Sequence, residues 1–523
     1  MKTTPVKYPI LRAYLLLFSF LLYAQSVPYD TMGINTATMH AQLTNVGSLD
    51  WRPFNKPGIY WLGYNGSVWE RSVEFDHGLW LSGYQQDSLI TTASTWSLEY
   101  SQGPIINGEA AMIAAPEDST DYRIYHIDNA SGPGDPDYDQ WPIQWGAPHA
   151  DDGSPTVIGQ QTTFMIYNDA HPSPDLQGWP SSPANPIEIH ETVWDYGTAD
   201  SLSNVIFFRY HIYNRSSDDW QNFILGLWTD IDLAVAGSNR GGYNETGKYM
   251  FMYNPINNIA GLIPTACAYV LLQGPMVPSP GNTAHFFGKT VAGAENLPPT
   301  AGWCIKDESD TFGQLGSYPA DATEQRYIME GRMPDGSPII NPLTGDTTTF
   351  TYNGNPITNE GWNWLMGGGG GAGFLTSSGP FDFLAGDSNE AIFALVAIAD
   401  TTFESALTRL ENQVVWLRSW WDNNWTVNIE ANRPLPYQYT LYQNYPNPFN
   451  PTTTIRYKLP RRSAVQIIIY DIVGKEVTTL VSGTQEAGHQ SVVWDATGLS
   501  SGVYFYQLRT SNFVQTNKMI LLK

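Results

Sequence analysis

A mainly β fold is expected for this chain: a β-sandwich-type body, one late amphipathic helix, and a small separate β-sandwich at the C-terminus. Three observations predict it. Charged residues are only 15% of the 523, while Gly (47), Pro (36), Trp (19) and Tyr (30) are abundant, a composition of strands and turns rather than of helix bundles. Short runs of alternating polarity are separated by Gly, Asn and Asp. A single stretch, Leu407 to Trp421, carries an apolar stripe at helical spacing. Length sets a prior of about three domains at roughly 150 residues each, and 42% hydrophobic residues supply real cores.

The charge balance narrows the function classes. Fifty acidic against 26 basic residues give a net charge of −24. Such a surface repels phosphate backbones and no basic stripe offsets it, so nucleic acid is not an expected partner. It suits a soluble extracellular protein that meets cations or neutral polymers. The two cysteines, Cys267 and Cys304, have no CxxC spacing; one bridge and two buried thiols are both compatible with the sequence.

Residues 1–24 have the parts of a secretory signal. Lys2, Lys7 and Arg12 precede the apolar run Leu15–Tyr23, and Ala24 offers a small residue for cleavage before Gln25. The run is about half of the ~20 residues that span a bilayer. The mature protein is therefore expected to be exported without a transmembrane anchor.

The body is assigned to 25–430, with room for two subdomains. Between Asp50 and Tyr100 the aromatics are dense, including Trp51, Trp61, Trp69, Trp80 and Trp96. They suit a sugar-stacking platform or a core; aromatic residues dominate ordinary β cores, so the core is expected. The acidic, proline-rich stretch 128–155 places Gln140 and Gly146 where a calcium loop starting at Asp135 needs Gly and Glu, and is expected to be a solvated loop. Ile187–Trp194 alternates as a half-exposed strand should. Its His190-Glu191 begins like a zinc-protease motif, but the second His is replaced by Trp194. Val205–Tyr213 predicts a strand with Ile206, Phe208, Tyr210 and Ile212 on one face and Arg209 and His211 on the other. Residues 275–390 are expected to be irregular. The GxGxxG at Gly368–Gly373 lacks a following helix, which predicts a flexible loop rather than a dinucleotide site. Ala391–Ala399 predicts a buried strand. Thr401 and Glu404 form a capping box for a helix carrying Leu407, Leu410, Val414, Leu417 and Trp421, ending before Asp422.

Acidic residues supply the only small-site candidates. Asp230 and Asp232 sit two apart at a strand end, followed by the Gly/Asn-rich stretch 237–244, a set of oxygen donors that would suit Ca²⁺. Glu188, Glu191, Asp195, Asp230 and Asp232 are the clustered carboxylates from which a glycosidase pair would have to come.

The linker is placed at 431–440 and the tail at 441–523. The tail opens Tyr445-Pro446-Asn447-Pro448-Phe449-Asn450-Pro451, which cannot be helix or central strand. Strands are expected at Thr453–Leu459, Val465–Tyr470, Glu476–Val481, His489–Trp494, Gly502–Arg509 and Val514–Leu522. A hairpin turn at Asp471–Lys475 uses Gly474 for positive φ. The GxSxG at Gly498–Gly502 joins two strands, so Ser500 is a turn residue rather than a nucleophile.

Pro446, Asn447, Pro448, Phe449, Gly474, Gly488, Trp494, Gly502, Tyr504 and Lys518, in this order at the C-terminus, make the tail resemble the type A C-terminal sorting domain of the type IX secretion (Por) system. It is also similar to the Ig-like fold of flagellar hook-cap proteins. The resemblance implies an Ig-like sandwich and passage through the outer-membrane machinery of that system. Release, or attachment to surface polysaccharide, would follow. It transfers no chemistry to the body, which shows no nucleophile, base pair or metal cage. The expected function is a secreted or cell-surface protein whose body is adhesive, structural or ligand-binding; the alternative is an exported polysaccharide-active hydrolase.

Overall fold

The computed structural model describes residues 30–522 apart from 50–56, 65–66, 96–99, 107, 111–122, 151, 171–183, 198–200, 234–237, 257–263, 287, 307–317, 365–370, 425–438, 445–446, 460–462, 486–487 and 512. The expected signal segment, most of the linker and Pro446 lie outside the described residues. The chain is mainly β and divides into two compact units: Met1–Asp137 with Val157–Thr426, and Tyr138–Thr156 with Val427–Lys523.

The first unit is built on two large antiparallel sheets that share one core. The nine-stranded sheet runs Tyr125–Asp128, Gln161–Asn168, Ile187–Asp195, Val205–Asn214, Ser388–Ala399, Thr265–Gln273, Tyr249–Tyr253, Arg240–Asn244, with Ser101–Gln102 pairing beside Gln161–Asn168. The five-stranded sheet runs Ala301–Lys306, Gly371–Phe383, Trp220–Asp230, Asp76–Gln85, Ser88–Ala93. A smaller four-stranded sheet, Thr31–Asn35 to Ser72–Glu74, closes on the same core.

Strand periodicity places the side chains as expected in Val205–Asn214, whose Ile206, Phe208, Tyr210 and Ile212 join the core. The neighbouring Ile187–Asp195 departs from its half-exposed expectation: every residue is buried. Its polar alternates are paired with other side chains instead of water, and alternation alone does not distinguish these two outcomes. Of the aromatics between Asp50 and Tyr100, Trp61, Trp80 and Tyr100 are buried in the core and Tyr64 is 40% exposed, while Trp51, Trp96 and the Trp69 side chain lie outside the described residues; elsewhere Trp194, Trp220, Trp228, Trp303, Trp362 and Trp364 are fully buried. Cys267 and Cys304 are buried and not bridged to each other, one in each large sheet.

Residues 275–390 contain more order than expected. A hairpin, Met276–Phe286 with Lys289–Asn296, carries its prolines at a register break between Pro278 and Thr283, where no ladder donor is needed. Gly368–Gly370 of the glycine motif lie outside the described residues, but from Gly371 on the chain is a strand: Gly371–Phe383 pairs with Trp220–Asp230, and a Cβ on Gly373 would stand 1.7 Å from the Thr229 carbonyl oxygen. A helix at Ala322–Met329 was not anticipated. Asp321 caps it by accepting from the Thr323 and Glu324 amides, and at eight residues it is too short to display a periodic stripe.

The long helix spans Phe403–Asn424. Its cap is Thr402, whose Oγ1 accepts from the Ser405 amide at 3.1 Å, rather than Thr401, and it continues past the expected stop at Asp422. Leu407, Leu410, Val414, Leu417 and Trp421 are buried, and the helix packs on Thr265–Gln273 and Ser388–Ala399.

In the second unit, all six expected tail strands are present, Glu476–Gln485 running past the expected Val481. One sheet holds Thr440–Leu441, Thr452–Leu459 and Gly488–Asp495; the other holds Glu476–Gln485, Ser463–Tyr470, Gly502–Arg509 and Val514–Leu521. Ile455, Tyr457 and Leu459 of the first meet Ile467, Ile469, Tyr506, Leu508 and Met519 of the second in a core of their own.

Candidate functional site

The acids singled out in the sequence are spread over one strand of the nine-stranded sheet, the end of one strand of the five-stranded sheet and the residues after it. Glu188 and Glu191 belong to one strand but are three residues apart, so their side chains leave on opposite faces. Asp195 ends that strand and accepts from Gln161 Nε2 at 2.7 Å; burial lifts its carboxyl to about 6. Asp230 ends the Trp220–Asp230 strand, in register with Asp76 on one side and Gly373 on the other. Asp232 follows it half-buried. Of the Gly/Asn-rich stretch, Arg240–Asn244 is a strand paired with Tyr249–Tyr253, and Asn239 Nδ2 donates to the Ile231 carbonyl at 2.9 Å. Among the described residues, no three His, Cys, Asp or Glu side chains gather as a metal cage would require.

Glu191 instead joins a buried polar network that links the three sheets. Tyr167 donates to Glu191 Oε2 at 2.9 Å, and Tyr210 stands directly across the strand pair. The Tyr269 hydroxyl donates to Glu74 Oε2 at 2.6 Å and lies 2.8 Å from His77 Nδ1. Asp76 Oδ1 accepts from the amides of Leu49 (2.6 Å) and His77 (2.8 Å). No member is more than 4% exposed, so the network is closed to the surface. Burial pushes Asp76 up to about 8 and Glu191 up to about 7. Burial drives His77 down, but the charges of Glu74, Glu191 and Asp76 lift it above its usual value.

These shifts share one sign. A carboxyl or imidazole whose folded value is raised contributes stability that is fully present below its ordinary value and lost as pH rises through the folded one. The urea midpoint is therefore expected to fall between pH 6 and pH 9, with the Glu191→Gln chain showing a flatter profile near pH 7. A midpoint that rises over this window contradicts the assignment.

On the opposite face, Glu188 is held by Arg215, by His190 Nε2 at 2.8 Å and by the Ile105 amide at 2.7 Å. Burial pushes its carboxyl up, but the Arg215 charge and the hydrogen bonds overcome that and hold it at about 2. Beside it, Arg209 Nε donates to Glu390 Oε2 at 2.9 Å and Gln273 Nε2 to Glu390 Oε1 at 2.5 Å.

An open concavity lies elsewhere. A cleft of about 210 Å³ is formed where the Arg240–Asn244/Tyr249–Tyr253 hairpin, the 353–357 loop and the long helix meet. Tyr243, Tyr249, Phe251 and Leu407 form buried walls, while Glu245 and Asn355 are exposed at the rim. Asn353 Nδ2 donates to Glu245 Oε1 at 2.7 Å, and Asn244 Nδ2 faces Glu411 Oε1 at 3.4 Å. Tyr243 lies flat on Phe350, with ring centres 3.7 Å apart; burial pushes its hydroxyl up to about 12. Arg418 fixes the hairpin turn, donating to the carbonyls of Gly247 (3.0 Å) and Lys248 (3.1 Å). Leu407 and Asn244 belong to patterns visible in the sequence, but nothing there brings them together with the others, because three distant segments supply the cleft.

The three aromatic signature residues of the tail are internal, whereas Pro448, Gly474, Gly502 and Lys518 are exposed. Phe449 is 2% exposed and packs on Trp494, which in turn meets Tyr504 edge-on. The Phe449 amide donates to the Ile520 carbonyl and the Leu522 amide to the Phe449 carbonyl. Asn447 Oδ1 accepts from the Ile520 amide at 2.8 Å. The opening Pro-rich segment is thus stitched to the last strand. Residues 443–522 match the family described as Secretion system C-terminal sorting domain.

The tail is a secretion-system sorting domain. The chain is therefore a type IX secretion cargo, exported to the cell surface or the extracellular space, and no helix among its described residues is long and apolar enough to cross a membrane. No curated protein matches the chain. Solved structures show distant likeness only. A polysaccharide lyase aligns at 6% identity and a TM-score of 0.25, over 95% of this chain and 47% of that one. Latent PorU from Porphyromonas gingivalis aligns at 11% and 0.14 (94% and 32%), and PorZ, a surface component of the type IX secretion system of the same organism, at 12% and 0.14 (95% and 58%). The chain spans less than two thirds of each, and at these scores none carries an argument about the body.

Proposed function

We propose that the sorting domain delivers a body that binds a neutral, polyhydroxylated ligand in the cleft beside the long helix. Residues 1–24 act as the signal for the first membrane, and the tail adopts an Ig-like sandwich. The observation that carries the reading is the lining of the cleft. Glu245 and Glu411 present acceptors while amides orient them, and Tyr243, Tyr249, Leu407 and Ile357 offer apolar surface. A sugar ring presents the complement, hydroxyl donors around an apolar face. The net charge of −24 disfavours polyanions.

The test is a glycan array on the full chain, followed by calorimetric titration with maltohexaose, cellohexaose and mannohexaose and a polysaccharide-release assay. Binding without release is expected, weakened about tenfold or more in Glu245→Gln/Glu411→Gln, since hydrogen bonds to charged acceptors are the stronger class. Binding that survives the double change moves the site away from the cleft. Release of oligosaccharide would favour the hydrolase.

A further inference from the structure

The sorting domain exposes apolar residues where its fold has no use for them. The Asp471–Lys475 turn is well made without them: Asp471 Oδ1 accepts from the Val473 amide at 3.0 Å and the Lys475 amide at 2.9 Å, and Gly474 takes φ +80°. Yet Ile472 and Val473 stand 70% and 81% exposed at its tip. Turns ordinarily carry Gly, Asn, Asp or Ser, and β-branched aliphatics gain nothing there. Strand register places other exposed residues at the same end of the sheet. Tyr470 pairs with Phe505, Phe505 with Lys518, and Gly502 with Leu521, so the turn, Lys518 and the chain's last residues share that end. There Leu522 is 52% exposed, and Lys475 and Lys518 are exposed beside it. The signature residues Phe449, Trp494 and Tyr504 are no more than 8% exposed, so a partner meeting the folded domain does not touch much of them.

We propose that this end of the sheet, with Ile472 and Val473 at its tip and Leu522, Lys475 and Lys518 beside them, is the surface by which the export machinery binds the folded sorting domain. The occupant is a protein groove with an apolar floor and acidic rim, which matches two aliphatic tips flanked by lysines. The family match supplies the reason to commit to this partner: a domain that sorts cargo for a secretion system has to be recognised by it.

The experiment compares the full chain with Ile472→Ser/Val473→Ser in a secreting host. The control is Val493→Ser, an equally bare aliphatic at 64% exposure on the other sheet. The double variant is expected to keep the thermal transition of the parent and to lose about tenfold or more of its extracellular yield, while the control exports normally. Normal export of the double variant overturns the proposal, as does an equal loss in the control. If the double variant proves unfolded, Lys475→Glu/Lys518→Glu, both exposed, takes its place, with the same loss expected and normal export again overturning. Parent protein that co-sediments with lipid vesicles, in a manner abolished by the double change, also overturns it in favour of a membrane contact.

Discussion

Removing residues 441–523 is expected to leave a folded body inside the cell envelope, with extracellular protein falling to background in a fractionation experiment. The physical basis is that the tail has a core of its own, from Leu441 to Leu521, so its loss deprives the rest of an address and leaves the body's shared core intact, only Tyr138–Thr156 losing the unit it belongs to. A single substitution is expected to reproduce the deletion. Trp494 is 3% exposed between Phe449 and Tyr504, and Trp494→Ala should cost about 3–5 kcal/mol. That is a large fraction of what so small a sandwich has. It should also release the Pro-rich opening from the last strand. Protease sensitivity confined to the tail, together with lost export, is the result to look for. Persistence of export after either change would show that sorting does not need this folded unit.

Arg215→Ala is expected to be the most damaging single change in the body. It leaves Glu188, which has no exposed surface, with its carboxylate facing only His190 and one backbone amide. Breaking a buried pair by removing one partner costs about 3–5 kcal/mol, and the denaturant midpoint should drop accordingly. The pH dependence separates this mechanism from loss of packing. A carboxyl depressed to about 2 contributes stability that is present above its ordinary value and lost as pH falls through the folded one. The parent and Arg215→Ala should therefore converge as pH falls from 5 towards 2, whereas a packing defect would keep them apart. Arg215→Lys keeps a charge but not the fork that grips Glu188, and should fall between the two.

How much of this was legible beforehand differs between the units. In the tail, six strands, the Gly474 turn and the sorting signature could all be found in the sequence, because each is a local pattern of alternation or turn chemistry. The body's strands at Val205–Asn214 and Ser388–Ala399 were visible for the same reason. The second helix, with Asp321 as its cap, was too short to announce itself. The strand Gly371–Phe383 looked like irregular chain because its pairing partner, Trp220–Asp230, lies far away in sequence.

Where a clear period runs, the amino-acid order by itself determined strand or helix, and it determined the identity of the tail, since those depend on neighbours one to four residues apart and on contiguous motifs. Only the tertiary structure decided that Glu191 is shut into a network with Tyr167, that Glu188 is neutralised by Arg215 on the other face, and that Glu245, Glu411 and Asn353 meet around open space. Those outcomes depend on which strands pair and which loops converge. They are set by the burial of the whole core, and no local stretch of sequence encodes them.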